Sequence, residues 1–343
     1  MESRAPALEQ ADAIASARRR LWSRLAKTTL GLALLAALVI WGRIDLKVLF
    51  ELTAAPSAVV TCVALLFLAL PLTALRWGIL LRALGVSIPF VNLFHFVAIG
   101  VLTNVFLLGN AGGDVIRALY AWRAVGRSPG RVSASVFADR VFSLLGVLFI
   151  PLVFSLSNWH RMEQVPALAA LGTSIIVAVA ACVAGACVLF AAPGLTRSLE
   201  THLTRWPRVA NLLVQVRGPI LMLRRNPHSL LAAFALALVI QLLAVFAVLV
   251  LADAIKIGGL SAADYMFAVP LTLIVNGLPL TPNGIGVGEA AFDQICRWLE
   301  PTPSAAAYSS IFFAFRVVST LTCIPGLISL AIYRNATRSD PMQ

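Results

Sequence analysis

The sequence predicts an all-α polytopic membrane protein with about six full transmembrane helices plus two broken or re-entrant helical hairpins, arranged as an inverted repeat. Three observations carry this expectation. Of 343 residues, 60% are hydrophobic and only 12% charged, where a soluble domain has about 25% charged residues and 45–50% apolar ones. Mean hydropathy is +0.90. Charge-free stretches of membrane-crossing length recur along the chain, and a bilayer core about 30 Å thick takes about 20 residues of helix. These features exclude an ordinary cytosolic enzyme, a disordered protein and a secreted disulfide scaffold, and leave no room for a large soluble domain.

Residues 1–24 form a cytoplasmic basic tail that ends in Arg18, Arg19, Arg20 and Arg24. Its acidic residues, its long basic lead-in and the lack of a clear cleavage site predict a retained first helix rather than a signal peptide. Residues 25–160 make the first membrane repeat and 161–333 the second, followed by a cytoplasmic tail over 334–343. The apolar stretches run roughly over 28–42, 52–75, 83–113, 141–160, 164–196, 226–252, 265–288 and 317–333. The last begins earlier, near Ser304, and contains Arg316. Between them, residues 195–225 alternate basic residues with Leu, Val and Trp206, the pattern of a cytoplasmic amphipathic segment lying at the interface.

The charge balance is Lys+Arg 27 against Asp+Glu 15, a net +12. The basic residues fall mostly between apolar runs, so they read as loop charges beside anionic headgroups rather than as a nucleic-acid surface. If every apolar stretch crossed once, Arg117, Arg123, Arg127 and Arg131 would lie opposite the basic N-terminal tail. If residues 90–127 instead enter and leave on one side, and 265–300 on the other, 20 basic residues fall inside and 5 outside. The second arrangement places both termini in the cytoplasm of a bacterial inner membrane.

It also divides the chain into two similar halves. Each has two plain helices, a broken hairpin and a helix with an intramembrane arginine. Phe94 to Gly112 is 18 residues and Phe267 to Gly286 is 19; Asp114 to Arg140 is 26 and Glu289 to Arg316 is 27. Paired Gly/Pro-interrupted segments in an inverted repeat point to a transporter's midplane site.

Three sets of residues are candidates for chemistry. The first is Gly109-Asn110-Ala111-Gly112-Gly113-Asp114, with Arg117 one turn on. Glycines there break a helix, and non-helical backbone at membrane depth survives only where protein buries it or water lines it. Two readings stand: a helix end with a surface ion pair, or a polar site where Arg117 meets phosphate and Asp114 orients it. The second is Pro279 to Glu289, with Pro282, Asn283, Gly284, Gly286 and Gly288, and Asp293 one turn beyond Glu289. It reads as an ordinary loop or as amides at a helix start that attract an anion. The third is Asp139-Arg140 and Arg316. Charges at membrane depth cost several kcal/mol, so they face the bundle interior and pair. Candidate pairs are Arg140 with Glu289 and Arg316 with Asp114, which would cross-link the halves; snorkelling or a purely structural pairing is the other reading.

Minor signals are His95 and Asn104 in the third apolar run, and Arg76-Trp77 with Arg82, which reads as an interfacial anchor. The five cysteines, Cys62, Cys182, Cys187, Cys296 and Cys323, lie in or beside apolar runs without a CxxC or Cys/His cluster. No HExxH, acidic metal motif or Ser/His/Asp constellation occurs. Neither cofactor nor metal is expected.

Several of these segments occur in a familiar order: Arg76-Trp with Leu-Leu-Arg-Ala-Leu-Gly-Val, Gly-Gly-Asp-Val-Ile-Arg, Asp139-Arg140, Pro-Asn-Gly-Ile-Gly-Val-Gly-Glu-Ala, and a late Phe-Arg-Val-Val. Together they resemble the lysyl-phosphatidylglycerol synthase transmembrane-region family, the flippase-like integral membrane proteins, over about residues 25–335. The resemblance implies movement of a lipid between leaflets. Carried over by motif, it implies roles for Gly112, Gly113, Asp114, Arg117, Arg140, Gly286, Glu289 and Arg316. Two departures stand out: Asp139 takes the place of a family Glu, and only ten residues follow Tyr333, so lysine transfer is not expected of this chain alone.

The expected function is therefore a lipid flippase or transporter acting on an anionic or phosphate-bearing membrane lipid. Its headgroup site would use Asn110, Gly112, Gly113, Asp114, Arg117, Asp139, Arg140, Asn283, Gly286, Gly288, Glu289 and Arg316. The alternatives are a membrane-embedded lipid transferase or hydrolase, with Asp114 or Glu289 as base, and a non-transporting partner subunit of an envelope pathway. A homo-oligomer or a partner enzyme would fit any of these.

Overall fold

A computed structural model describes residues 29, 33, 35–40, 47–106, 111–126, 129–191, 222–278, 280–300 and 307–339. The N-terminal tail, most of the 28–42 stretch, Asn110, nearly all of the amphipathic segment and the last four residues lie outside the described residues.

Among the described residues every regular element is helical. In chain order these are α1 Val48–Ala54, α2 Pro56–Ala83, α3 Phe90–Phe106, α4 Ala111–Val125, α5 Pro129–Ser157, the single turn α6 Trp159–Met162 and α7 Pro166–Ala191. Then come α8 Pro227–Ala254, α9 Ala262–Asn276, α10 Val287–Leu299, α11 Tyr308–Thr320 and α12 Ile324–Ser339. A 3₁₀ turn, Leu321–Cys323, joins α11 to α12. Among the described residues, five spans are long and apolar enough to cross a bilayer: α2, α5, the Pro166–Gly185 part of α7, α8, and the α11–α12 rod over Tyr308–Tyr333.

Prolines set several of these boundaries. Pro56 and Pro227 open α2 and α8, where the missing N–H costs nothing. Pro129 opens α5, so this helix begins well before the apolar run at 141 and carries Asp139-Arg140 inside it. Ser261 starts α9 with a capping box: its hydroxyl accepts from the Asp264 amide while Asp264 accepts from the Ser261 amide.

The buried clusters fix how the helices run. Leu84 at the end of α2, Ala134 near the start of α5 and Ala233 near the start of α8 share one cluster. Cys62, Phe154, Val248 and Phe267 share another with Phe292 and Phe312. Helix α2 is therefore antiparallel to α5 and α8, which lie side by side, Gly146 against Ala237. The chain leaves α2 and re-enters α5 at the same end of the bundle. Helices α3 and α4, of 17 and 15 residues, form a hairpin inserted from that end, too short at 1.5 Å per residue to cross twice. At the opposite end, Arg161 Nη1 donates to Asp264 Oδ1 at 2.8 Å and the same guanidinium donates to the Leu299 carbonyl. The start of α9 and the end of α10 thus meet there, and α9 with α10 is a second short hairpin entering from the other side.

Close backbone approach holds the first hairpin together. A Cβ on Gly113 would lie 2.1 Å from the Gly100 carbonyl oxygen, so the two arms touch where neither residue carries a side chain. The α12 helix seals the flank of α3, and Tyr333 joins His95, Phe96 and Tyr120 in an aromatic cluster with ring centroids 5.6–5.7 Å apart.

Candidate functional site

The first charged cluster sits between α2, α4 and α5. Asp139 is 2% exposed. Its Oδ1 accepts from Arg76 Nε at 2.8 Å and its Oδ2 from Arg117 Nη2 at 2.8 Å. Arg76 Nη2 also donates to the Ser143 hydroxyl at 2.7 Å. Arg117 Nε lies 3.0 Å from Asp114 Oδ1, without the alignment of a hydrogen bond. The other Asp114 oxygen pairs with Arg140 Nε. Arg117 lies 5.0 Å over the ring of Trp77, whose Nε1–H is anchored on Ser135 at 3.0 Å.

Two expectations are corrected here. Arg76-Trp77 is not an interfacial anchor: Arg76 is 4% exposed and Trp77 is fully buried. The hairpin α3–α4 folds back along α2 and covers both. Arg117 likewise is a buried ion-pair partner rather than a loop charge.

The second cluster joins α9, α10 and α11. Glu289 is fully buried. It pairs with Arg316 Nε and lies 3.1 Å from Arg316 Nη2. Arg316 Nη2 also donates to Asn276 Oδ1 at 2.8 Å and the Gly284 carbonyl at 3.0 Å, and Nη1 donates to the Asn283 carbonyl. The expected cross-linking of the halves is therefore not what forms. Arg140 pairs with Asp114 and Arg316 with Glu289, each within its own half, because each hairpin's second arm packs directly against the helix that follows. Glu289 and Asp293 also do not act as a carboxylate pair, since Asp293 is engaged by Arg297 at 2.8 Å.

The amides expected to meet an anion are used internally. The Gly286 N–H donates to Glu289 Oε2 at 2.9 Å. A Cβ on Gly288 would meet Asn276, Phe312 and Arg316 within 3.0 Å. Asn283 has a positive φ of 51° and turns its carbonyl to Arg316. Around Gly288 and Glu289 the space is taken by the side chains of Asn276, Phe312 and Arg316.

The first cluster borders a cavity. It has a volume of about 230 Å³ and is lined by Asp114, Arg117, Asp139 and Arg140 together with Arg76 and Gln241. Gly113 and Asn104 also line it, the Gly113 amide donating to Asn104 Oδ1 at 2.8 Å. Gly112 lies in the first turn of α4. The side chain of Arg140 is 44% exposed. Counting formal charges among the described residues, three arginines and two aspartates line the cavity. His95 takes no part; its Nδ1 is 2.9 Å from the Ser329 hydroxyl. No group of three or more potential metal ligands occurs among the described residues.

Three participants were not singled out from the sequence: Arg76 as a partner of Asp139, Asn276 and Gln241. Gln241 had a signal, since it is the one polar residue between Ser229 and Asp253 in α8.

The two clusters share a pattern. Asn104, Gly113, Asp114 and Arg140 have counterparts in Asn276, Gly288, Glu289 and Arg316. In each half a Cβ on the glycine would sit 2.6 Å from the asparagine's side-chain oxygen, and the acid pairs with the arginine 26 or 27 residues on.

An apolar helical bundle with charges paired in its interior and two short hairpins is a multi-pass integral membrane protein. The chain matches the model of the lysylphosphatidylglycerol synthase TM region over residues 28–325 and belongs to that family. It is similar to a UPF0104 membrane protein of Methanothermobacter thermautotrophicus, 23% identical over 284 residues that cover 75% of this chain and 80% of the relative. A UPF0104 membrane protein of Pyrococcus horikoshii is 24% identical over 128 residues, 36% of this chain and 38% of that one. No solved structure matches.

Proposed function

We propose that this protein is a lipid flippase or transporter that moves a phosphate-bearing lipid between the leaflets of the inner membrane, with both termini cytoplasmic. The headgroup enters the first-half cavity while the acyl chains stay in the bilayer. The observation that carries this reading is the surplus positive charge of the cavity, three arginines against two aspartates. A surplus charge in the membrane interior is costly and is kept where it meets a counter-charge. Arg140, at the exposed mouth, meets the phosphate first, and Arg117 lies deeper, held by Asp139. The matched Asn–Gly–acid–Arg quartets support an inverted repeat, with one hairpin inserted from each side. In this reading the second quartet is the closed counterpart of the first.

The test is transport by the full chain in vesicles carrying a phosphatidylglycerol with a fluorescent headgroup-side label. A membrane-impermeant quencher should bleach the inner-leaflet pool only when the protein is present, and the lipid's mass should not change. Arg140→Ala should keep the fold and lose movement. A change in lipid mass would favour an enzyme, and unimpaired movement by Arg140→Ala would refute the site assignment.

A further inference from the structure

The cavity holds two buried donors without a hydrogen-bond acceptor among the described residues. Gln241 is 9% exposed and its Nε2 has no hydrogen-bond partner among the described residues. Arg117 is 5% exposed and its Nε has no aligned acceptor. Both line the same cavity. Buried donors are paired in the great majority of cases, and an exception calls for a ligand or a water. Gln241 sits midway along α8, in a run otherwise free of polar side chains from 230 to 252, where a polar group marks a pathway or a site.

The carboxylates in the cavity are all engaged by arginines. Asp114 Oδ1 faces Arg117 and Oδ2 pairs with Arg140; Asp139 Oδ1 meets Arg76 and Oδ2 meets Arg117. All four carboxylate oxygens face arginines, so neither aspartate is left without a counter-charge for an ammonium group to meet. The formal balance is one positive charge, which a phosphodiester monoanion cancels.

Resting on the flippase reading, we propose that the cavity takes a monoanionic phosphodiester headgroup whose remaining part is uncharged, and that the Gln241 side-chain amide donates to its phosphoryl oxygen. An aminated headgroup brings an ammonium that finds three guanidinium groups and no open carboxylate, so it is rejected by repulsion rather than by size.

The experiment is lipid binding by the full chain in neutral detergent, read by native mass spectrometry and by melting temperature, with three probes: phosphatidylglycerol, phosphatidylethanolamine and inorganic phosphate. Phosphatidylglycerol should bind at least about tenfold tighter than phosphatidylethanolamine. Gln241→Met should melt no lower than wild type, because an unpaired buried amide is removed, yet bind phosphatidylglycerol about tenfold more weakly. Gln241→Glu brings the formal charge to zero and adds an open carboxylate, so it should shift preference toward phosphatidylethanolamine. Equal binding of both lipids by wild type, or a Gln241→Met variant that loses melting temperature in step with affinity, overturns the proposal. Stabilisation by inorganic phosphate alone to the same extent as by phosphatidylglycerol assigns the cavity to a soluble anion and overturns the lipid source. A wild-type protein that moves both lipids equally refutes this selectivity alone, whereas one that neither binds nor moves any phospholipid refutes the flippase reading as well.

Discussion

Arg76 donates through Nε to Asp139 at 2.8 Å, joining two long helices by side chains that are both more than nine-tenths buried. The carboxylate is shared with Arg117, so one aspartate offsets two guanidinium groups. Removing it exposes both to mutual repulsion in a low-dielectric site.

Asp139→Asn should therefore destabilise strongly, by about 3–5 kcal/mol as for other broken buried pairs. Arg76→Ala should cost a similar amount. Arg82, exposed and six residues along the same helix, is the control, and its Ala variant should stay within about 0.5 kcal/mol of wild type. Melting in detergent reads all three. A neutral Arg76→Ala would contradict the buried pair.

Coupling should follow the halves. A double-mutant cycle on Asp114 and Arg140, and one on Glu289 and Arg316, should each show the double variant losing less than the sum of the singles. Cycles across the halves, Asp114 with Arg316 and Glu289 with Arg140, should be additive within about 0.5 kcal/mol. Strong coupling across the halves would show that the pairs exchange partners.

Gly113→Ala places a methyl group 2.1 Å from the Gly100 carbonyl oxygen and 2.6 Å from Asn104 Oδ1. The hairpin arms must separate, an overpacking cost of about 1–3 kcal/mol, and the cavity changes shape with them. Gly130→Ala, in the first turn of α5 with open space around it, should be neutral or stabilising by up to about 1 kcal/mol. Equal melting temperatures for the two variants would refute the close contact.

In a chain freed of its native cysteines, a single cysteine at Ala124 and one at Arg225 should react with a membrane-impermeant thiol reagent from the same side. One at Gly258 should react from the other. Ala124 lies in the last turn of α4, at the exit of the first hairpin, Arg225 precedes α8 and Gly258 follows it. Labelling of Ala124 and Gly258 from one side would mean that the first hairpin crosses fully.

The long helices are legible in the sequence because charge-free runs have one cause in a membrane protein: a backbone that must satisfy itself in lipid. The break across Pro282 to Gly286 is legible for the same reason, since Gly and Pro leave the helix there, whereas Gly112 and Gly113 lie inside the first turn of α4. The pairing is not legible. Spacing places Asp114 and Arg140 about 26 residues apart but does not say whether the returning helix packs against its own hairpin or the other one. Arg76 misled because a basic residue beside Trp at the end of an apolar run has the form of an interfacial anchor. It becomes an interior residue only because α3 and α4 fold back over it, a tertiary fact with no local signature. Gln241 was readable as a lone polar residue in an apolar helix and carried no motif to draw the eye.

Pairing within each half bears on the order in which the protein is made. Synthesis runs from the N-terminus, and a charge that enters the bilayer alone must wait at the surface or be carried at a cost of several kcal/mol. Arg76 and Arg117 precede Asp139, and Asp114 precedes Arg140. Once α5 leaves the ribosome, each of these charges has a partner already present, and the N-terminal half can be inserted with its ion pairs made before α8 exists. Arg161 is the contrary case. It emerges 103 residues ahead of Asp264 and 138 ahead of Leu299, so it stays at the membrane face until the second hairpin arrives to close over it.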